Sequence, residues 1–219
     1  MKYKCVIVDH DDTAVESTPH VHYPAYLETM SLLRPHLEPE NLEGFFLKNF
    51  RPGFMSYLRD ELRLTDEELA TEIEIWHRHM SGDGSHFYPG FLELLQEFHA
   101  SGGMVAVASH SDAAAIARDY RRASGGSFEP DVIFGWNSDP DKRKPSPYPV
   151  TELLSRTGLT AGDVVVVDDL SPGVIMAEKA GVHAIAAGWA HQIEEIAAFM
   201  KSRCVAYLTE VESLRTFLF

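Results

Sequence analysis

Val164 to Val167 is a run of four valines that stops on Asp168-Asp169, and two other runs end the same way. Tyr3 to Val8 stops on Asp9, and Met104 to Ala108 stops on Ser109. Val132 to Phe134 is a further apolar run, and His183 to Ala187 is a weaker one diluted by alanine. Short runs that are apolar at every position, rather than at alternate ones, predict strands buried on both faces. Helical segments separate the later runs. Ser111-Asp112 is expected to cap one through about Arg122, Pro147 to open another that ends before Gly158, and Ser171-Pro172 to cap a third stopped by Gly181. Alternating strands and helices predict an α/β fold with a parallel, doubly wound, Rossmann-like sheet.

The stretch from Thr18 to Tyr88 breaks that alternation. It shows no convincing strand and reads as several helices. The clearest begins at Thr65, where Glu68 completes a capping box and Leu69, Ile73, Trp76 and Met80 follow at helical spacing. The expected organisation is a core made of residues 1–17 and 89–219, with an inserted helical module at 18–88. Thr18-Pro19 and Tyr88-Pro89-Gly90 have hinge composition. Phe45, Phe46 and Trp76 are expected in the core of that module.

A chain of 219 residues with 45% hydrophobic and 24% charged residues is not a wholly disordered one. Its 19 Lys and Arg against 33 Asp and Glu give a net charge of −14. That balance argues against nucleic acid and against anionic membrane surfaces as partners. Two cysteines, Cys5 and Cys204, make no disulfide framework or zinc spacing. No stretch reaches the length of a membrane span. A cytoplasmic monomer is the expectation.

The chemistry is expected where ligands bind in open α/β sheets, at the carboxyl ends of the strands. Asp9 and Asp11 stand two residues apart after the first strand, so both can face one pocket. Asp12 and Thr13 are as well suited to capping as to function. Ser109 could hold an anion together with the backbone N–H groups of the turn that follows. Lys144, fixed by Pro145 and by Pro147, could aim its ammonium inward. The Asp168-Asp169 pair suggests an oxygen-ligand site for Mg²⁺. Each signal has a bland reading as a turn, cap or surface loop, and the specificity lies in their order.

Acid-x-acid, then Ser, then Lys, then acid-acid, each at a strand end, resembles the haloacid dehalogenase-like (HAD) superfamily over nearly the whole chain. The helical block between the first two motifs is similar to that superfamily's helical cap, and Tyr88-Pro89-Gly90-Phe91 is similar to the cap exit of its phosphatase and β-phosphoglucomutase branch. The resemblance implies that Asp9 is the nucleophile, forming an aspartyl-phosphate, and Asp11 the general acid/base, protonated for the first step. It implies phosphate binding by Ser109 and Lys144, with His110 and the backbone N–H of His10 in the same group. Mg²⁺ is implied at Asp9, the main-chain carbonyl of Asp11 and Asp169, with Asp168 orienting or bound through water.

Two departures stand out. The family pattern has an aromatic or small residue where His10 stands, and Gly where Asp12 stands. The His10 ring is expected to point away from the phosphate, toward the cap. Asp11 argues against dehalogenases and phosphonate hydrolases, which lack an acid there. The expected activity is Mg²⁺-dependent hydrolysis of a small phosphorylated metabolite. The alternatives are a phosphomutase of the β-phosphoglucomutase type, a non-catalytic binding or regulatory protein on the same fold, and, last, a receiver-type phosphoacceptor. The cap histidines, His20 and His22 above all, are expected to be solvated or pocket-lining rather than a second metal site, with one of these two facing the substrate.

Overall fold

The computed structural model of the chain describes residues 1–82 and 86–219. These form two compact units, one of Met1–Val15 with Phe87–Phe219 and the other of Glu16–His86. In chain order the strands are β1 (Cys5–Val8), β2 (Val15–Glu16), β3 (His86–Phe87), β4 (Met104–Ala108), β5 (Val132–Phe134), β6 (Val164–Asp168), β7 (His183–Ala187) and β8 (Ala206–Leu208). The helices are α1 (Tyr23–Leu33), α2 (Leu42–Phe50), α3 (Phe54–Ser56), α4 (Asp66–Met80), α5 (Phe91–Ala100), α6 (Ala113–Ala123), α7 (Tyr148–Thr157), α8 (Ser171–Ala180), α9 (Glu194–Arg203) and α10 (Arg215–Leu218).

Six strands of the first unit form one parallel sheet in the order β5-β4-β1-β6-β7-β8. Its central strands are the valine-rich runs, and Cys5 to Val8, Val105 to Val107 and Val164 to Val167 are all but fully buried. Burying a valine or leucine side chain contributes about 1.5–3 kcal/mol, so these runs are the main reason the sheet holds. After β1 the chain fills one side of the sheet with β4 and β5, then crosses to the other with β6, β7 and β8. That change of direction opens a crevice at the carboxyl ends beside β1.

Some elements differ from the sequence expectation. A sixth strand, β8, is present; its three residues include the polar-tipped Tyr207 and give little periodic signal. His86–Phe87 is extended and pairs with Val15–Glu16 in a two-stranded sheet, within a stretch that reads as strand-free. Strand β1 starts at Cys5 rather than Tyr3. Ser171 is the first residue of α8 rather than its cap, which is Leu170 with no side-chain bond. At α6 the cap is Asp112 alone, accepting from the N–H groups of Ala114 and Ala115.

The second unit is built around Tyr26, Met30, Phe45, Tyr57, Leu58, Leu62, Leu64 and Leu69. The capping box is formed: Thr65 Oγ1 accepts from Glu68 N at 3.3 Å, and Thr65 N donates to Glu68 Oε2 at 2.9 Å. Arg34 adds a two-pronged bond to the same Glu68 carboxylate, at 2.7 and 2.9 Å. Phe45 belongs to this core; Trp76 instead stacks on His22. Among the described residues no helix is long and apolar enough to cross a membrane.

Candidate active site

Strand register assembles the site. Val8 lies level with Val107 on one side and with Val167 on the other. One residue further along each strand come Asp9, Ala108 and Asp168, and the next step reaches Ser109 and Asp169. Pairing continues past the strand end, because Asp9 N donates to Val167 O at 2.9 Å and Ser109 N to Phe134 O at 2.9 Å. Four polar side chains therefore leave one edge of the sheet together. Lys144 arrives from the loop after β5, where its peptide bond to Pro145 is cis.

Lys144 is buried, with Nζ 2.7 Å from Asp168 Oδ2 and 2.9 Å from Asp9 Oδ1. Burial pulls its ammonium toward neutrality, but Asp168 and Asp9 outweigh that and hold it above the ordinary lysine range. Asp9, Asp168 and Asp169 are 8%, 1% and 3% exposed, and each offers a carboxylate oxygen within 4.8 Å of the others. Burial pushes the Asp168 carboxyl up against the pull of Lys144; burial, with Asp9 adding to it, does the same at Asp169. Three buried carboxylates against one ammonium form an all-oxygen donor set short of positive charge. Such a set fits a hard divalent cation.

The two oxygens of Asp168 are already engaged, Oδ2 by Lys144 and Oδ1 by Leu170 N at 2.9 Å. Asp168 is thus the acid that anchors Lys144, while Asp9 and Asp169 face the cluster. Asp169 is itself held: Thr13 Oγ1 donates to Oδ1 at 3.2 Å and His191 Nε2 lies 3.2 Å from Oδ2. Burial lowers the His191 pKa, and Nε2 is the ring nitrogen that faces this carboxylate. Trp189 Nε1 donates to Thr13 O at 3.0 Å and fixes the turn that carries Thr13.

Asp11 lies beside this cluster in the same unit. Its Oδ2 accepts from Ser111 Oγ at 2.5 Å and Ser109 Oγ at 3.2 Å. Ser109 Oγ in turn accepts from Ser111 N at 3.1 Å. Asp12 has φ 56°, the left-handed region, where the family pattern places Gly. Asp is among the few side chains that tolerate that conformation, which explains the substitution. His10 N donates to Asp9 Oδ1 at 2.7 Å. The His10 ring is turned into its own unit: it is 1% exposed, 3.4 Å from Asp119 Oδ2, and packed by Phe87 and Tyr120. The small N–H group of the next residue, not its ring, is what reaches Asp9. His110 Nε2 donates to Lys144 O at 2.8 Å, so its ring buttresses the lysine loop.

Residues that the sequence reading passed over complete the arrangement. His191 lies in a loop after β7 with no motif around it. Ser111 reads as a cap but serves Asp11. Gly173 reads as part of a helix start, yet it makes room for Asp168: a Cβ there would sit 1.9 Å from Asp168 Oδ2. In the second unit the histidines are dispersed. His20 Nε2 is 3.1 Å from Glu16, His79 Nε2 is 2.9 Å from Glu28, and His22 Nδ1 accepts from Trp76 Nε1 at 2.9 Å. Among the described residues, the one group of three or more possible metal ligands is Asp9, Asp168 and Asp169.

The profile of the haloacid dehalogenase-like hydrolases matches residues 6–187. The chain belongs to that family. The match spans all four strand-end motifs of this HAD-like hydrolase. A phosphoglycolate phosphatase of Vibrio parahaemolyticus is 22% identical over 188 residues, covering 81% of this chain and 80% of the relative. Solved structures share the fold at similar distance. A haloacid dehalogenase-like family protein of Streptococcus pneumoniae superposes with a TM-score of 0.76 at 16% identity, covering 100% of this chain and 99% of the other. CbbY of Rhodobacter sphaeroides, solved with phosphate, gives 0.72 at 21% identity, covering 97% and 96%.

Proposed function

We propose that this HAD-like hydrolase is a Mg²⁺-dependent phosphatase that hydrolyses a small phosphorylated metabolite through an aspartyl-phosphate on Asp9. One observation carries the reading: Asp9, Lys144, Asp168 and Asp169 are buried together at the strand ends, with Asp11 and Ser109 beside them. A bare binding module has no need for an acid/base at Asp11. The phosphoglycolate phosphatase relative and the phosphate held by CbbY support the same substrate class.

The roles follow from the bonds. Asp9 Oδ1 is held by His10 N–H and Lys144, which leaves Oδ2 to attack phosphorus as the bond to the leaving oxygen breaks. Asp11 gives its proton to that leaving oxygen. Water then attacks the phosphoryl group, Asp11 takes the proton from it, and Asp9 is released as the carboxylate. Ser109 Oγ turns from Asp11 to the phosphoryl oxygens, and the Lys144 ammonium lowers the repulsion between carboxylate and phosphate. Mg²⁺, held by Asp9, Asp169 and the Asp11 main-chain carbonyl, supplies the remaining positive charge when bound.

The deciding experiment is a screen of phosphorylated organic acids, sugars and nucleotides with and without Mg²⁺, with the Asp9→Asn protein as control. Mg²⁺-dependent phosphate release by the wild type alone is expected. Full activity in Asp9→Asn would remove the nucleophile assignment. Phosphate transfer that needs a sugar bisphosphate and releases no phosphate would replace hydrolysis with the mutase reaction.

A further inference from the structure

Trp136 and Arg143 form a shelf that the phosphoryl chemistry does not use. Trp136 is 49% exposed although it follows strand β5 directly after Gly135. It is nonetheless fixed. Trp136 N donates to Ser111 O at 2.8 Å, and Gly135 is pressed so close to α6 that a Cβ would lie 2.5 Å from Ala113 N. The Arg143 guanidinium stacks over the Trp136 ring, with Cζ 4.2 Å from the ring centre. Its Nη1 donates to the carbonyls of Asn137 and Ser138.

The remaining donors, Nε and Nη2, meet no protein acceptor among the described residues, and no carboxylate pairs with this arginine. That is unusual in a chain with 33 acidic side chains against 19 basic ones. Position gives the open charge its meaning. Arg143 precedes Lys144, and the His110 ring touches both the shelf and the lysine loop. That ring stands edge-on to Trp136 at 6.1 Å, bonds Lys144 O, and follows Ser109 directly in sequence.

Stacking holds a guanidinium flat and leaves its fork directed sideways, a geometry that suits carboxylate or phosphate oxygens in pairs. We infer that the Arg143–Trp136 shelf binds a second anionic group on the substrate, so that esters carrying a carboxylate or second phosphate are selected over neutral ones. This rests on the phosphatase reading and narrows it.

Two matched pairs test it in the full-length enzyme with Mg²⁺. Phosphoglycolate and 2-hydroxyethyl phosphate differ only in carboxylate against alcohol; a sugar bisphosphate and its monophosphate probe a second phosphate. The ratio of kcat/KM within each pair is the readout. The wild type is expected to favour the doubly anionic member of at least one pair. Arg143→Gln should lower that ratio by about tenfold or more, mainly through KM, the scale of a lost charged contact. Arg143→Lys should restore part of it, and Trp136→Ala should lower it less than Arg143→Gln. Melting temperature checks that the variants fold. A wild-type ratio near one in both pairs, or ratios that Arg143→Gln leaves unchanged, would overturn the inference while leaving the phosphatase reading intact. No turnover of any ester by the wild type would remove both.

Discussion

Gly173 lies so close to Asp168 that only a hydrogen fits where a side chain would begin. A Cβ would stand 1.9 Å from Asp168 Oδ2, the same oxygen that accepts from Lys144 Nζ at 2.7 Å. The requirement is steric, since Gly173 sits in the first turn of α8 with ordinary helical backbone. Alanine at this site would favour the helix by about 0.5–1 kcal/mol. It would also drive the carboxylate off Lys144. Gly173→Ala is therefore expected to lose at least about 100-fold in kcat while keeping its helical circular dichroism. Wild-type kcat in that variant would show that Asp168 does not need its present place.

Lys144→Met leaves Asp9 and Asp168 buried without their shared ammonium. Removing one partner of a buried, bonded charge pair costs about 3–5 kcal/mol. The variant should unfold at lower denaturant than the wild type, and Mg²⁺ should recover part of the difference by supplying charge to the same carboxylates. Its turnover should fall by about 10³-fold. Denaturant unfolding with and without Mg²⁺ is the measurement. Equal stability of the two proteins in chelator would contradict the pairing.

Thr13 and His191 fix the two oxygens of Asp169, at 3.2 Å each. Groups that orient a metal-binding carboxylate typically change metal affinity by about 10–100-fold when removed. His191→Phe keeps the ring volume and removes the donor. It should raise the Mg²⁺ concentration needed for half-maximal activity by that factor and leave kcat at saturating Mg²⁺ within about threefold. An unchanged Mg²⁺ requirement would mean that His191 does not position Asp169 for the cation.

Much of the site was legible because the residues that make it are also the residues that end its strands. Runs such as Val164 to Val167 fix a buried strand, and the polar residue after each run must then emerge at the sheet's edge. What could not be read were contacts set by three-dimensional approach. His191 is 22 residues from Asp169 along the chain, and Gly173 signals a helix start in any sequence. The place of the His10 ring is not legible in the same way, because its partners, Asp119 and Tyr120, stand on a helix whose inward face only packing decides. Trp76 has the spacing of a core residue, yet its indole N–H needs an acceptor, and His22 provides one. β8 escaped because three residues carry no periodicity.

Among the described residues, Glu72 is the one acid of the helical unit that is 7% exposed or less, and burial pushes its pKa from 4.5 up to about 7 against an opposing pull from His22. A carboxyl raised in the folded state binds its proton more tightly there than in the unfolded chain. Its contribution to stability is complete below about pH 4.5 and is lost as pH rises through about 7. A shift of that size corresponds to at most about 3 kcal/mol. Glu72→Gln mimics the protonated acid at every pH. The two proteins should be about equally stable at pH 5, and Glu72→Gln should be the more stable by about 1–3 kcal/mol at pH 8. Urea unfolding of the full chain at both pH values, with wild type and variant side by side, cancels the titrations that they share. A difference that does not change between pH 5 and pH 8, or that turns against the glutamine, would show that Glu72 is charged in the folded state throughout.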